Sequence, residues 1–199
     1  NLAQHVGDYP ETVTANRREL AEWLNFEVSF QWLAQVHGTR VCKIDVAAKP
    51  YKADALVTQH KGIACCVLTA DCLPVFIAAK DGTEVGIVHA GWRGLVAGVI
   101  ENTIENMKTP VQDIAAHLGP AIGPCHFEVG MDVVKLFTEA DGSVEKYFRA
   151  SVEPDKYLAD LFGLARHRLL GLGVEVSSSN TCTVCESGTL YSYRHSPVT

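Results

Sequence analysis

The sequence has no excess of positive charge. It contains 17 Lys and Arg residues against 23 Asp and Glu residues, which gives a formal net charge of −6 at pH 7 and a pI near 5.7. Proteins that bind nucleic acids usually present a basic face or stripe to the phosphate backbone. We therefore expect a small molecule, and no nucleic acid, as the ligand.

The sequence also lacks an uninterrupted apolar run long enough to cross a membrane. The most apolar stretch is "GIACCVLTADCLPVFIAA" at 62–79, and it contains Asp71 and Pro74. A transmembrane helix needs about 20 mostly apolar residues in succession. Two short buried strands explain this stretch better, so we expect no membrane association.

A disulfide framework is missing as well. The seven cysteines are odd in number, lie at irregular spacings and include the adjacent pair Cys65 and Cys66. Small secreted domains usually carry an even number of paired cysteines. This pattern favours a reducing compartment, and we expect a cytoplasmic protein.

The glycine-rich loops that bind nucleotide phosphates, the Walker loop and the dinucleotide fingerprint, are also absent from the sequence.

The length and composition are those of one globular domain over residues 1–199. A chain of 199 residues with 47% hydrophobic residues can bury a sizeable core. Strands and helices are predicted in irregular alternation, which favours an α+β (mixed α/β) fold with a large mixed sheet flanked by helices. Helices are predicted at 9–25, 131–140 and 153–174, a strand, glycine turn and helix at 83–107, and strands at 30–37, 40–46, 54–58, 62–69, 74–79, 174–176 and 190–194.

Two histidines and one cysteine lie where predicted strands end in tight turns. They are His37, Cys72 and His89, and Gln35 shares the predicted face of His37. If these strand ends meet, two imidazoles and a thiolate form a site suited to Zn²⁺, with a fourth position free for water. Spacing alone leaves open whether they meet, and the alternative is that each is an ordinary hydrogen-bonded polar side chain.

The segment "CTVC" has the spacing of a zinc knuckle. It contributes Cys182 and Cys185, but the sequence has no second Cys-x-x-Cys motif. A structural site of four cysteines is therefore incomplete. We interpret these residues as buried thiols in a strand.

Six motifs occur along the chain in this order: "QVHGTRV", "ADALVT", "TADCLPV", "VHAGWRG", "LGPAIGPCHFEVG" and "CTVCESGTLYSYR". Together they resemble the YfiH family, also called the laccase-domain or polyphenol oxidase family. The resemblance covers nearly the whole chain and implies a YfiH-like fold with His37, Cys72 and His89 as the metal ligands. Family members usually carry a segment before "NL", and after "SYR" a second arginine, where this chain has His195, and a glycine-rich tail. We therefore expect that terminal segments of the family are missing here.

The resemblance implies a metal-dependent enzyme acting on purine nucleosides. The reaction is phosphorolysis of adenosine, inosine or methylthioadenosine to the free base and ribose or methylthioribose 1-phosphate, with adenosine deamination beside it. Zinc is the expected cofactor and copper the alternative metal. The chain has eight histidines but no His-x-His pair, so the four-copper centre of a laccase is not expected and polyphenol oxidation is the less favoured activity.

The nucleoside and the phosphate need polar contacts in the site. We assign phosphate to Arg93 and Arg194, because guanidinium groups bind phosphate oxygens in pairs; the alternative is surface salt bridges. Gln35 and Asp54 are the further candidates for substrate contact. Trp92 is assigned to core packing, with stacking on a flat substrate as the alternative.

The predicted catalytic residues are Cys72, His89 and Glu128. Asp54, Asp71 and Glu128 are possible general acids or bases, or carboxylates that orient a metal ligand, with solvated loop carboxylates as the alternative for all three. Glu128, in "HFEVG", is the preferred one. In a rival function from another class, Cys72 is a nucleophile and His89 its base, as in a thiol hydrolase or deamidase. Hydrolysis of a cell-wall precursor and a non-enzymatic binding function also stay open, as does the choice between monomer and dimer.

Overall fold

The computed structural model describes residues 1–4, 6–24 and 27–197. The helices are α1 (Pro10–Leu24), α2 (Trp92–Val96), α3 (Val99–Asn106), α4 (Met131–Ala140) and α5 (Leu161–Gly171), with short 3₁₀ helices at Val111–Asp113 and Gly142–Tyr147. The strands are β1 (Ser29–Gln31), β2 (Leu33–Ala34), β3 (Val41–Lys43), β4 (Tyr51–Lys52), β5 (Ala55–Thr58), β6 (Ile63–Cys65), β7 (Leu73–Ala79), β8 (Val85–Ala90), β9 (Ile114–Leu118), β10 (Glu128–Gly130), β11 (Phe148–Ala150), β12 (Lys156–Ala159) and β13 (Glu175–Ser178).

A six-stranded mixed sheet forms the centre of the molecule. Its strand order is β13-β9-β7-β8-β5-β3, with antiparallel pairing in the middle and one parallel pair at each edge. A three-stranded antiparallel sheet, β10-β12-β11, and the parallel pairs β1-β6 and β2-β4 complete the strands that the structure describes. The predicted mixed α/β class, one domain with a large mixed sheet and flanking helices, is confirmed.

The two faces of the central sheet are buried to different extents. Helices α3 and α5 pack together on one face, where Val75, Val88 and Leu118 join the main apolar cluster. On the other face, a smaller apolar cluster around Leu56 and Ile87 covers the part of the sheet formed by β3, β5 and β8. Phe76 of β7 is 50% exposed, so the predicted burial of 74–79 on both faces is wrong there. The stretch 62–69, also predicted to be buried on both faces, is only half-buried.

Local sequence signals place several helices correctly. Helix α1 begins at Pro10, whose fixed φ suits the first helical turn. The helix predicted at 9–25 is confirmed within the described residues. Asn25, its predicted last residue, and His5 lie outside the described residues. The helix predicted at 131–140 is confirmed as α4. No helix within the described ranges is long and apolar enough to span a bilayer.

The predicted helix at 153–174 is wrong in its first part. Residues Lys156–Ala159 form strand β12, which pairs with both β10 and β11. The side chain of Asp160 then accepts a hydrogen bond from the Gly163 N–H at 2.9 Å and caps the start of α5. This cap places the boundary between strand and helix at residue 160.

The C-terminal segment differs most from the prediction. Residues 190–194 were expected to form a strand, but they contain none. Cys182 makes only an isolated bridge to Ala121, and Cys185 lies exposed in a turn. Cys182 is buried as predicted, but Cys185 is not, and neither lies in a strand, so the interpretation of the pair as buried thiols in a strand is wrong in those respects.

The buried carboxylate of Glu84 anchors the loop after α3. It is 3% exposed and accepts hydrogen bonds from the backbone N–H groups of Lys108 and Thr109, each at 2.9 Å, and from the Thr109 hydroxyl at 2.8 Å. Its other oxygen, Oε1, also accepts from the Lys108 N–H at 3.1 Å, so both oxygens bind the start of this loop.

We predict that Glu84→Gln lowers the free energy of unfolding by about 1–3 kcal/mol, because the amide keeps one acceptor oxygen and turns its NH₂ group, itself a donor, toward the Lys108 N–H. Urea unfolding measures this loss. Glu175→Gln is the matched control, since Glu175 is exposed and its carboxylate pairs with Lys80 at 3.3 Å. Equal midpoints for the two variants would contradict the assigned role of Glu84.

Candidate metal centre

The structure brings His37, Cys72 and His89 together. One ligand atom of each lies within 4.8 Å of the others. The Cys72 Sγ atom is 3.9 Å from His37 Nε2, and the two imidazole rings stand nearly perpendicular, at 78°, with their centroids 4.7 Å apart. Two nitrogens and one sulfur form a donor set that suits zinc or copper.

The central sheet positions two of these three side chains. His89 is the penultimate residue of β8, and Cys72 directly precedes β7. The antiparallel register pairs Leu73 with Ala90 and Pro74 with His89. This pairing places the thiol beside the imidazole, as the expected meeting of strand ends requires.

His37 does not lie at the end of a strand. It follows β2 in a bend and has a φ of +58°, a conformation that residues other than glycine rarely adopt. The strand predicted through 30–37 is broken into β1 and β2, which end before His37. The bend, and not a strand, directs His37 toward the other two side chains.

The carboxylate of Asp54 fixes the geometry of this bend. Asp54 is fully buried; its Oδ1 accepts hydrogen bonds from the His37 backbone N–H and from His89 Nδ1, both at 2.9 Å. Its Oδ2 accepts from the Gly38 N–H at 2.7 Å. We assign the proton on His89 to Nδ1 from this contact, which leaves Nε2 free to bind a metal.

The electrostatic environment favours the thiolate of Cys72. Burial raises the pKa of this thiol, but the imidazoles of His37 and His89 more than offset that effect and bring the pKa to about 7. Burial lowers the pKa of His89, whereas Asp54 and Cys72 raise it, to about 9. Burial also raises the pKa of Asp54, and hydrogen bonds from His89, Gly38 and His37 bring it below its usual range. Thiolate is the form of cysteine that binds metals.

Two glycines of "HAGWRG" permit close approach to the three side chains. A Cβ on Gly91 would lie 3.0 Å from both Cys72 Sγ and His37 Cδ2, and a Cβ on Gly94 would lie 2.8 Å from the Gly38 carbonyl oxygen. Larger residues would therefore displace the bend that carries His37. Helix α2 starts at Trp92, directly after Gly91.

The three side chains line a cavity of about 630 Å³, within the range typical of small-molecule sites. Arg93 and Arg194, the predicted phosphate contacts, line it as well, together with Trp92 and Tyr193. The Arg93 guanidinium carbon lies 4.3 Å from the centre of the Trp92 ring. Trp92 packs against the core and also faces the cavity, so both roles considered for it have a structural basis.

The other predicted site residues have different surroundings. Gln35 lines the cavity, but its amide both donates to and accepts from the backbone of Leu68, at 2.8 Å each. Asp54 is buried behind the cavity and positions ligands. Glu128 accepts a hydrogen bond from the Ser151 hydroxyl at 2.6 Å and is not among the described residues that line the cavity. These placements do not support substrate contact by Asp54 or acid–base catalysis by Glu128.

Asp71 has a structural part in the cavity wall. Its carboxylate accepts hydrogen bonds from the Thr183 hydroxyl at 2.6 Å and from the Arg194 backbone N–H at 2.8 Å. Sequence reasoning missed this link between the turn before Cys72 and the C-terminal segment. It also missed the contribution of Asn1, Leu2 and Ala3 to the cavity, for which no local signal exists.

Comparisons with known proteins identify relatives over the full chain. A family model described as "Multi-copper polyphenol oxidoreductase laccase" matches residues 1–199. The purine nucleoside phosphorylase YfiH of Escherichia coli is 44% identical over 203 residues, covering 100% of this chain and 82% of the relative. A purine nucleoside phosphorylase of Pseudomonas aeruginosa is 43% identical over 197 residues, covering 98% and 80%. A crystal structure of a Neisseria meningitidis protein superimposes with a TM-score of 0.93 at 42% identity, covering 98% and 80%.

We predict that Asp54→Asn weakens zinc binding by His37, Cys72 and His89 by about 10–100-fold. The amide has one acceptor oxygen and cannot accept hydrogen bonds from His37 N–H, Gly38 N–H and His89 Nδ1 as the carboxylate does. Competition with a chelator of known affinity measures the change. Asp45→Asn is the matched control, since Asp45 is exposed and pairs with His60 at 3.1 Å. Unchanged affinity in folded Asp54→Asn protein would contradict the positioning role.

Proposed function

This chain belongs to the family described as multi-copper polyphenol oxidoreductase laccase, and we propose that it is a zinc-dependent purine nucleoside phosphorylase. Its substrates are adenosine, inosine or methylthioadenosine, and inorganic phosphate. Relatives from two species carry the name purine nucleoside phosphorylase. The observation that carries the proposal is one cavity that combines the His37, Cys72 and His89 donor set with two arginines.

The cavity suits a nucleoside and a phosphate ion together. Its volume of about 630 Å³ is sufficient for a ligand of that size. Trp92 and Tyr193 offer flat surfaces against which a purine can stack. Arg93 and Arg194 offer guanidinium groups for the phosphate oxygens.

The donor set fits a zinc ion of the catalytic type. Three protein ligands leave a position open, as in other catalytic zinc sites. When bound, zinc supplies a Lewis acid and lowers the pKa of coordinated water to about 7. Zinc is favoured over copper because none of the eight histidines forms a His-x-His pair and neither Met107 nor Met131 lines the cavity as an axial ligand, among the residues described.

In the proposed reaction a phosphate oxygen forms a bond to C1′ of the nucleoside as the bond from C1′ to the purine nitrogen breaks. The electron pair leaves with the purine, which then takes up a proton. The two arginines hold the phosphate, and Asp54 keeps the His89 ring oriented. Adenosine deamination is a second reaction of the same cavity and consumes water instead of phosphate.

A cytoplasmic location is part of this proposal. The Cys72 thiolate must stay reduced to bind zinc, and thiols persist in reducing compartments.

A thiol hydrolase or deamidase is the second candidate. The observation that favours it is that Cys72 Sγ lies within 4.8 Å of a ring nitrogen of His89, the predicted base, whose Nδ1 contacts Asp54 Oδ1 at 2.9 Å. A nucleophile, a base and a carboxylate that orients the base form such a site. A thiolate that binds zinc tightly is not a free nucleophile. Removing the metal with a chelator should therefore abolish the proposed activity but leave a cysteine-dependent hydrolase active.

We predict that ribose 1-phosphate and free base form from inosine only when phosphate is supplied, and that Arg93→Ala slows this reaction by about 10–100-fold. The loss corresponds to one charge-assisted hydrogen-bonding group, roughly 1.5–3 kcal/mol. Inosine formation from adenosine without phosphate should fall much less. Steady-state assays of both reactions on the same preparations measure the difference.

Arg93→Lys is the matched variant, because it keeps the positive charge but loses the paired N–H donors. It should retain an intermediate rate of phosphorolysis. If Arg93→Ala, folded and with its zinc, loses both activities equally, Arg93 serves the nucleoside or the metal site and the phosphate assignment is wrong.

A further inference from the structure

A second group of metal-binding side chains lies outside the cavity. It consists of Cys125, His126, Cys182 and Cys185, whose ligand atoms all lie within 4.8 Å of one another. None of these four residues is among those that line the cavity. "CTVC" supplies two of the ligands, and the adjacent Cys and His of "GPCHFEVG" supply the other two.

Four of the six distances between these atoms match those of a tetrahedral zinc site, and the other two lie within 4.8 Å. Bonds of about 2.3 Å to sulfur and about 2.0–2.1 Å to nitrogen place two sulfurs about 3.8 Å apart and a sulfur and a nitrogen about 3.6 Å apart. Cys125 Sγ lies 3.8 Å from Cys182 Sγ and 3.7 Å from Cys185 Sγ. His126 Nδ1 lies 3.6 Å from Cys182 Sγ and 3.7 Å from Cys185 Sγ. A disulfide requires about 2.05 Å between its sulfurs.

We propose that Cys125, His126, Cys182 and Cys185 bind a structural zinc ion. Four protein ligands close the coordination sphere and leave no position for a substrate, which is the arrangement of structural zinc sites. Gly123 suits this arrangement in two ways. The Gly123 N–H donates to Cys182 Sγ at 3.2 Å, and a Cβ on Gly123 would lie 3.0 Å from the Cys182 Cβ.

The ion ties together two segments that have little secondary structure of their own. The loop at 119–127 and the C-terminal segment at 179–197 meet through two backbone hydrogen bonds, from Ala121 N–H to Thr181 O at 3.1 Å and from Thr183 N–H to Ala121 O at 3.0 Å. Beyond this junction the C-terminal segment supplies Tyr193 and Arg194 to the cavity wall. The structural zinc therefore holds one wall of the cavity in place.

The zinc content of purified protein, by elemental analysis and native mass spectrometry, tests the proposal. The wild-type chain should hold about two zinc ions, Cys72→Ser about one, Cys185→Ser about one, and the double variant none. Cys185 is exposed, so its replacement by serine leaves the core unchanged. Cys66→Ser is the matched control, because Cys66 belongs to neither group, and it should keep both ions.

Cobalt substitution in the Cys72→Ser background gives a second measurement. Co²⁺ bound by three thiolates should give an intense charge-transfer absorption in the near ultraviolet, and Cys185→Ser should reduce it by about a third or abolish it. In the zinc-loaded Cys185→Ser chain, limited proteolysis should cut the segment 179–197 faster than in Cys66→Ser.

Three results would overturn the proposal: Cys72→Ser protein without zinc, Cys185→Ser protein with as much zinc as wild type, or a wild-type mass that shows a disulfide within this group. The outcome is independent of the proposed enzymatic function. Phosphorolysis can fail while the structural zinc is present, and the structural zinc can be absent while phosphorolysis proceeds.

Discussion

The buried carboxylate of Asp54 is the constraint on which the candidate metal centre depends. A fully buried charge is tolerated only when hydrogen bonds compensate for the loss of water, and Asp54 receives them from His37, Gly38 and His89. Those contacts hold the bend that carries His37 against strand β8. They also orient the His89 ring, so one side chain fixes two of the three predicted ligands.

The rest of the cavity is arranged around this fixed point. The register of β7 with β8 places Cys72 beside His89, and the absence of a side chain at Gly91 lets His37 approach both. Asp71, next to Cys72 in sequence, binds Thr183 and Arg194. The proposed structural zinc binds Cys182, which is next to Thr183 in sequence. The C-terminal segment is therefore held both by Asp71 and by the proposed ion.

The sequence predicts those parts of the molecule that are determined locally. The helix at 131–140 and the strand and turn at "HAGWRG" have local patterns, whereas the three candidate ligands were identified together through the family resemblance. The bend at His37 has none, because Asp54, 17 residues away, imposes it. The group of Cys125 and His126 with Cys182 and Cys185 was missed because its two halves are 57 residues apart, and such long-range ligand sets have no sequence signature.

Anomalous diffraction at the zinc absorption edge, from crystals of the zinc-loaded chain, tests the central claim most directly. We predict a strong peak bounded by His37 Nε2, Cys72 Sγ and His89 Nε2, with Asp54 in contact with His89 Nδ1 on the opposite side of the ring. A map in which that position carries no peak, although the crystals contain zinc, would contradict the assignment of these three residues as the metal centre.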